Sequence, residues 1–152
     1  MKKVKFLVLI SILLFGTFAV NANSLNSDEV LKQVVEKPYD SELLFMASVV
    51  NYFKGDYDNS LKYFVRASVF DRAILVRKDY GMIDALTNYT KEILNNSQKT
   101  ELKIYSCIFL DKLGEKKYSY AHLQNLYNNV KDESQKITIS RILNSIRFMN
   151  TL

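Results

Sequence analysis

The chain has 152 residues and a formal charge of +5, from 21 Lys and Arg against 16 Asp and Glu, and a single cysteine, Cys107. One cysteine excludes an intrachain disulfide, and a balance this mild, without a clustered basic face, gives no footing for nucleic-acid binding. Four glycines, one proline and no tryptophan, beside ten tyrosines and nine phenylalanines, point to helices joined by short turns. The abundance of Lys and Asn is that of an AT-rich bacterial genome.

Residues 1–22 read as a secretory signal peptide. Lys2, Lys3 and Lys5 form a positive start, Phe6 to Val20 runs without a charge, and Val20-Asn21-Ala22 places small residues where a signal peptidase cuts. The apolar run of 15 residues is short of the roughly 20 that a stable membrane-spanning helix needs. No cysteine follows it, so a lipid-modified N-terminus is not expected. Cleavage near Ala22 leaves residues 23–152 as a single domain, periplasmic or secreted. With the three signal lysines gone, 18 cations face 16 anions and the charge falls to +2. Such a domain, without disulfides, must be held by its core. Cys107, in an apolar helical stretch, is expected to be a buried and inert thiol.

The helices follow in order. Asn26 with Glu29 has the form of a capping box opening a first helix, whose stripe is Val30, Leu31, Val34 and Val35, and Pro38 stops it. A second helix runs from Asp40 or Ser41 to about Lys54, with Leu43, Met46, Ala47, Val50 and Phe53 as its main stripe and Leu44, Phe45, Val49 and Tyr52 widening it. Gly55 closes it. A third helix spans Tyr57 to Phe70 with Tyr57, Leu61, Phe64 and Ala67 inward. Ala73 to Lys78 looks helical, Gly81 interrupts, and Met82 to Leu94 is amphipathic through Met82, Leu86, Tyr89 and Ile93. Ser97 is the expected N-cap of a helix from Lys99 to Leu113, closed by Gly114. Lys116 to Val130 carries Tyr120, Leu123, Leu126, Tyr127 and Val130. Asp132, with Gln135 three residues on, caps a last helix whose stripe is Ile139, Ile142, Leu143, Ile146 and Met149. Nothing reads as a strand.

The stretch from Pro38 to Asp71 resembles a tetratricopeptide repeat. Ala47-Ser48 fit the small pair of the repeat's first helix, Gly55-Asp56-Tyr57 its turn, and Phe64 and Ala67 the aromatic and alanine of its second helix. Pro38 stands where a preceding repeat would end. Ser60 replaces the usual alanine. Lys112-Leu113-Gly114 resembles the same turn again, but 59 residues after Gly55, which is no multiple of 34. The resemblance implies an all-α fold of stacked antiparallel helical hairpins, similar to tetratricopeptide or Sel1-like proteins but irregular.

No catalytic constellation is present in the sequence. His122 is the only histidine, Cys107 and His122 have no metal-ligand spacing, and no serine or glycine motif for acyl or phosphoryl transfer occurs. Asp28-Glu29 and Asp132-Glu133 lie at helix starts, where the dipole favours acids. The expectation is therefore an exported interaction module that needs no cofactor or metal, is not an enzyme, and binds another protein or a peptide segment. The resemblance implies a groove lined by the first helix of the pair, hence Leu44, Ser48 and Asn51. Tyr63, Tyr80 and Tyr118 fall off the apolar stripes and are candidate exposed aromatics. An alternative is a small periplasmic inhibitor or immunity protein that neutralises a toxic enzyme.

Overall fold

The computed structural model describes residues 27–76 and 81–149. The signal-like segment, Asn26 as a cap, and Tyr80 lie outside the described residues. Within them the chain is all helical, with no strand and seven α-helices packed against their neighbours. They are α1 (Ser27–Glu36), α2 (Ser41–Phe53), α3 (Tyr57–Phe70), α4 (Met82–Asn96), α5 (Thr100–Lys112), α6 (Lys116–Asn129) and α7 (Glu133–Met149). A 3₁₀ turn, Arg72–Val76, replaces the helix expected from Ala73.

Caps set most of the boundaries. The Asp40 carboxylate accepts from Leu43 N and starts α2, and Asp56 accepts from Asn59 N and starts α3. Asp132 accepts from Gln135 N at 2.8 Å, as its position suggested; that bond and the one from Ser134 hold its carboxyl below the usual range. Ser97 does not cap α5. It ends α4, where its N–H donates to Ile93 O, and its hydroxyl accepts from Lys99 N; α5 starts after Lys99 instead. The reason is length, since α4 continues to Asn96 and uses Ser97 for its own last turn.

Two hairpins form the body. The first joins α2 to α3 through Gly55, the second α5 to α6 through Gly114. They match in register: Ser41 to Thr100 and Tyr57 to Lys116 are both steps of 59, and the paired helices have 13 and 14 residues in each hairpin. The turns are closed by the same bonds. Lys54 N, Gly55 N and Asp56 N donate to Val50 O, Tyr52 O and Asn51 O; Leu113 N, Gly114 N and Glu115 N donate to Phe109 O, Asp111 O and Leu110 O. Both glycines take positive φ, 75° and 95°, as this helix ending requires. The 59-residue spacing, which fits no 34-residue period, is the distance between these two hairpins, and α4 with its lead-in occupies the interval.

Within each hairpin the helices approach closely over small residues. The Ser60 hydroxyl donates to Ser48 O at 3.0 Å, and the Ser48 hydroxyl donates back to Ser60 O at 2.8 Å. At the equivalent place in the second hairpin, the Ser119 hydroxyl donates to Cys107 O at 2.8 Å. This clamp decides which face of α2 is buried. Leu44, Phe45, Ala47, Ser48 and Asn51 are the buried residues, whereas Leu43, Met46 and Val50 are half-buried and Phe53 is exposed. The stripe expected from Leu43 to Phe53 is thus rotated. In a helix apolar on nearly every side, the small residues fix the contact line because only they let the partner backbone approach.

The two hairpins meet along α3 and α5. Phe64 and Phe109 pack edge to face at 5.5 Å, both fully buried, and Lys62 bridges to Glu101 at 2.9 Å. From Asp58–Lys99 through Phe64–Phe109 the contacts ascend along both segments, so α3 and α5 run in the same direction. Because α3 leaves the Gly55 turn while α5 arrives at the Gly114 turn, the two turns sit at opposite ends of the body. On the flanks, α1 packs on α2 with Val30 and Val34 buried, α4 packs on α5 with Leu86 and Leu94 buried while its Met82 sulfur reaches the Ser48 hydroxyl of α2 at 3.7 Å, and α7 covers α6. Ile139 and Ile146 carry the α7 contact, with Ile142 and Leu143 half-buried beside them.

Candidate protein-binding surface

The residues that the sequence placed in a groove are interior. Leu44, Ser48 and Asn51 are buried, Ser48 in the clamp to α3 and Asn51 with its amide donating to Ala47 O. That expectation is corrected: the face of α2 that bears small residues is the face α3 covers, so it has no surface left for a partner. Tyr63 is half-buried beneath the Arg66 guanidinium, which lies 5.8 Å from its ring and donates to Pro38 O. Tyr118 is 40% exposed, with its ring 4.4 Å from that of His122 on α6. The structure does not bring these tyrosines into one surface.

It gathers a different set of rings. At the Gly55 end, Phe53 and Tyr52 close α2, Tyr57 opens α3, and Tyr89 arrives from α4. Successive ring centres are 5.4 Å apart for Phe53–Tyr52, 5.8 Å for Tyr52–Tyr57 and 5.5 Å for Tyr57–Tyr89. Phe53 is 59% exposed and Tyr57 39%, while Tyr52 and Tyr89 are half-buried and back them. The sequence hides this row because Phe53 and Tyr57 continue the apolar periodicity of their helices. Their position shows it: a residue in the last turn before a left-handed glycine, or the first after it, projects beyond the partner helix.

The row is fixed in place by charge. The Tyr89 hydroxyl donates to Asp58 Oδ1, and Lys99 Nζ donates to Asp58 Oδ2 at 2.8 Å. Partial burial raises the Asp58 carboxyl, but the Lys99 and Tyr89 hydrogen bonds and the nearby Lys99 and Lys62 charges together hold it below the usual carboxylate value. Burial and the bond to Asp58 push the Tyr89 phenol well above its ordinary 10.0, and the Glu92 and Asp56 charges act in the same sense. Asp56 and Glu92 add negative charge near Tyr89, while Asp58 is paired with Lys99, so the margin of the row carries both signs.

The twin hairpin serves as an internal control. Fifty-nine residues after Tyr52, Phe53, Tyr57 and Asp58 stand Asp111, Lys112, Lys116 and Lys117. Those residues build the same turn with the same hydrogen bonds. The turn backbone therefore does not need the rings.

Cys107 and His122 remain apart in role. The Cys107 thiol is fully buried, and burial, against a small opposing effect of Lys103, pushes it up to about 12. A thiol so protonated is a poor nucleophile. Burial, then the Lys103 charge, lowers His122, and no hydrogen bond joins it to Cys107. Among the described residues no group of three or more His, Cys, Asp or Glu is placed to hold a metal, and no helix is long and apolar enough to cross a membrane. No protein-family model matches the chain, and no curated protein or solved structure is significantly similar to it.

Proposed function

We propose that the chain is an exported helical module, akin to tetratricopeptide-like repeats, that binds a partner protein through the aromatic row at the Gly55 turn. The observation that carries this reading is the pair of turns. One backbone is built twice, once with rings and once with lysines, so the turn itself does not require rings at these positions. Aromatic side chains held rigid by their neighbours, with charged groups at the margin, have the makeup of interaction hot spots. The partner expected offers apolar side chains to Phe53 and Tyr57, with polar groups of either sign at the margin. Export supplies the compartment: the basic, apolar and small-residue segments of residues 1–22 are those of a cleaved leader, and the mature protein is expected in the periplasm or outside the cell.

The same rings also allow a second reading, a small exported inhibitor that presses them against the cleft of a toxic enzyme. Affinity separates the two. The test is recovery of the tagged full chain from the cell envelope, beside the Phe53→Ser/Tyr57→Ser variant. An interaction module yields several partners, each lost in the variant; an inhibitor yields one enzyme in equal amount, bound at nanomolar strength or tighter. Partners retained by the variant would remove the aromatic row from either reading. A mature N-terminus other than Asn23, read by mass, would correct the export site.

A further inference from the structure

A second surface lies on the far side of the second hairpin and has a different chemistry. A cleft of ≈ 310 Å³ opens between α6 and α7. Helix α6 supplies Tyr120, Gln124, Tyr127 and Asn128 to one wall, and α7 supplies Ser140, Leu143 and Asn144 to the other. The cleft is at the small end of ligand sites, and from Tyr120 to Asn128 the α6 wall is about 12 Å long at 1.5 Å per residue. This is the length of one or two sugar rings, or of three to four residues of extended peptide.

The lining narrows the choice. Among the described residues none of its lining side chains is charged at neutral pH, although 24% of the chain's residues are charged. Phosphates, carboxylates and ammonium groups would meet no counter-charge from these side chains. What the wall does offer is three primary amides and three hydroxyls. Each amide presents donors and an acceptor side by side, and each hydroxyl can do either. That array suits a ligand whose groups also donate and accept at once, which is the property of sugar hydroxyls. Tyr127 is 40% exposed and offers a ring face, the platform on which the C–H side of a pyranose lies. A peptide would ask more apolar depth for its side chains than Leu143 alone provides. One contact already orders the wall: Gln124 Nε2 donates to the Tyr120 hydroxyl at a long 3.4 Å, a bond that a better acceptor would replace at little loss.

We infer that the α6–α7 cleft binds a neutral saccharide, with Gln124, Asn128 and Asn144 hydrogen-bonding its hydroxyl or acetamido groups and Tyr127 stacking on one ring. The inference does not depend on the aromatic row at the Gly55 turn, which is in another part of the molecule. It is tested by nitrogen–proton correlation spectra of the full-length chain, titrated separately with N-acetylglucosamine, its β-1,4 dimer, glucose, and a blocked alanine tripeptide. The expected result is saturable movement of the Gln124, Asn128 and Asn144 side-chain amide signals with at least one sugar, at millimolar affinity, and none with the tripeptide. Tyr127→Ala and Asn128→Ala, both at exposed positions and so expected to unfold at the wild-type midpoint, should each weaken that affinity about fivefold or more. Unmoved amide signals up to about 0.1 M of every sugar, stronger movement with the tripeptide, or unchanged sugar affinity in both variants would overturn the assignment.

Discussion

The two hairpins are the same object with different surfaces. Both pack 13- and 14-residue helices, both close on a glycine with the same three backbone bonds, and both place a serine hydroxyl on the carbonyl of the facing helix. Yet the first ends in Tyr52, Phe53 and Tyr57, the second in Asp111, Lys112 and Lys116. What they share is what the fold requires: a small pair, a left-handed glycine and one large buried side chain on the second helix. What differs is the set of side chains at the two turns, and that is where function is to be sought.

The comparison is sharpest at the large buried residue. Phe64 lies on the joint between hairpins against Phe109, whereas its counterpart Leu123 lies beneath the outer helix α7. Phe64→Ala should cost about 4 kcal/mol and Leu123→Ala about 3 kcal/mol, read from urea midpoints. A Leu123 variant that costs more than the Phe64 variant would mean the α6–α7 layer, not the α3–α5 joint, is the centre of the core.

The turns should differ less. No atom lies within 4 Å of a Cβ added at Gly55 or Gly114, so an alanine meets only backbone strain. At φ 75° Gly55 is just beyond the left-handed region open to other residues, while Gly114 at 95° is well outside it. Gly114→Ala is expected to cost about 2 kcal/mol and Gly55→Ala about 1 kcal/mol in thermal unfolding. Equal costs would show that one of the turns relaxes.

Much of this was legible in the sequence. Asp132 as a cap, Gly55 and Gly114 as closures, and helix α3 from Tyr57 to Phe70 all follow from local signals that tertiary packing leaves alone. The buried face of α2 did not, because Leu43, Leu44, Phe45, Met46, Val49 and Val50 give nearly every direction an apolar residue. Only the facing helix breaks that tie, and it chose Ala47 and Ser48. The second hairpin was visible as Gly114 but its equivalence was not. Period alone says nothing when a helix of another kind, α4, is inserted between copies. The candidate surface was the least legible, because Phe53 and Tyr57 differ from core residues only by standing at a turn.

The acid network offers a third contrast. Asp58 receives Lys99 and Tyr89, while its counterpart Lys117 is exposed. The folded Asp58 carboxyl lies below its ordinary 3.8, so its stabilisation is complete above that value and is lost as pH falls through the depressed one. The folded Tyr89 phenol lies above its ordinary 10.0, so its share is complete below 10 and fades as pH rises beyond it. Asp58→Ala should cost about 1 kcal/mol at neutral pH, reduced from a buried charged bond by the solvent around it, and should flatten both flanks of the stability profile. Profiles of variant and wild type that run parallel would remove Asp58 from the acid flank.

The smallest effect lies in the clamp. In the first hairpin Ser48 returns the bond it receives; in the second, Cys107 stands in its place. Ser48→Cys should cost roughly 0.5–1 kcal/mol, the worth of one neutral hydrogen bond, and Cys107→Ser should leave stability nearly unchanged, with the new hydroxyl facing Ser119 O. A strongly destabilised Cys107→Ser would show that the second hairpin packs its sulfur where the first makes a bond.

The proposed role of the rings is to bind a partner at one of two turns that share a backbone. It is tested most directly by placing a photo-crosslinking phenylalanine analogue at position 53, or at its counterpart 112, in the full chain, and irradiating intact cells. A discrete crosslinked protein is expected from position 53 and none from position 112. Crosslinking from 112 alone, or from neither position, would contradict it.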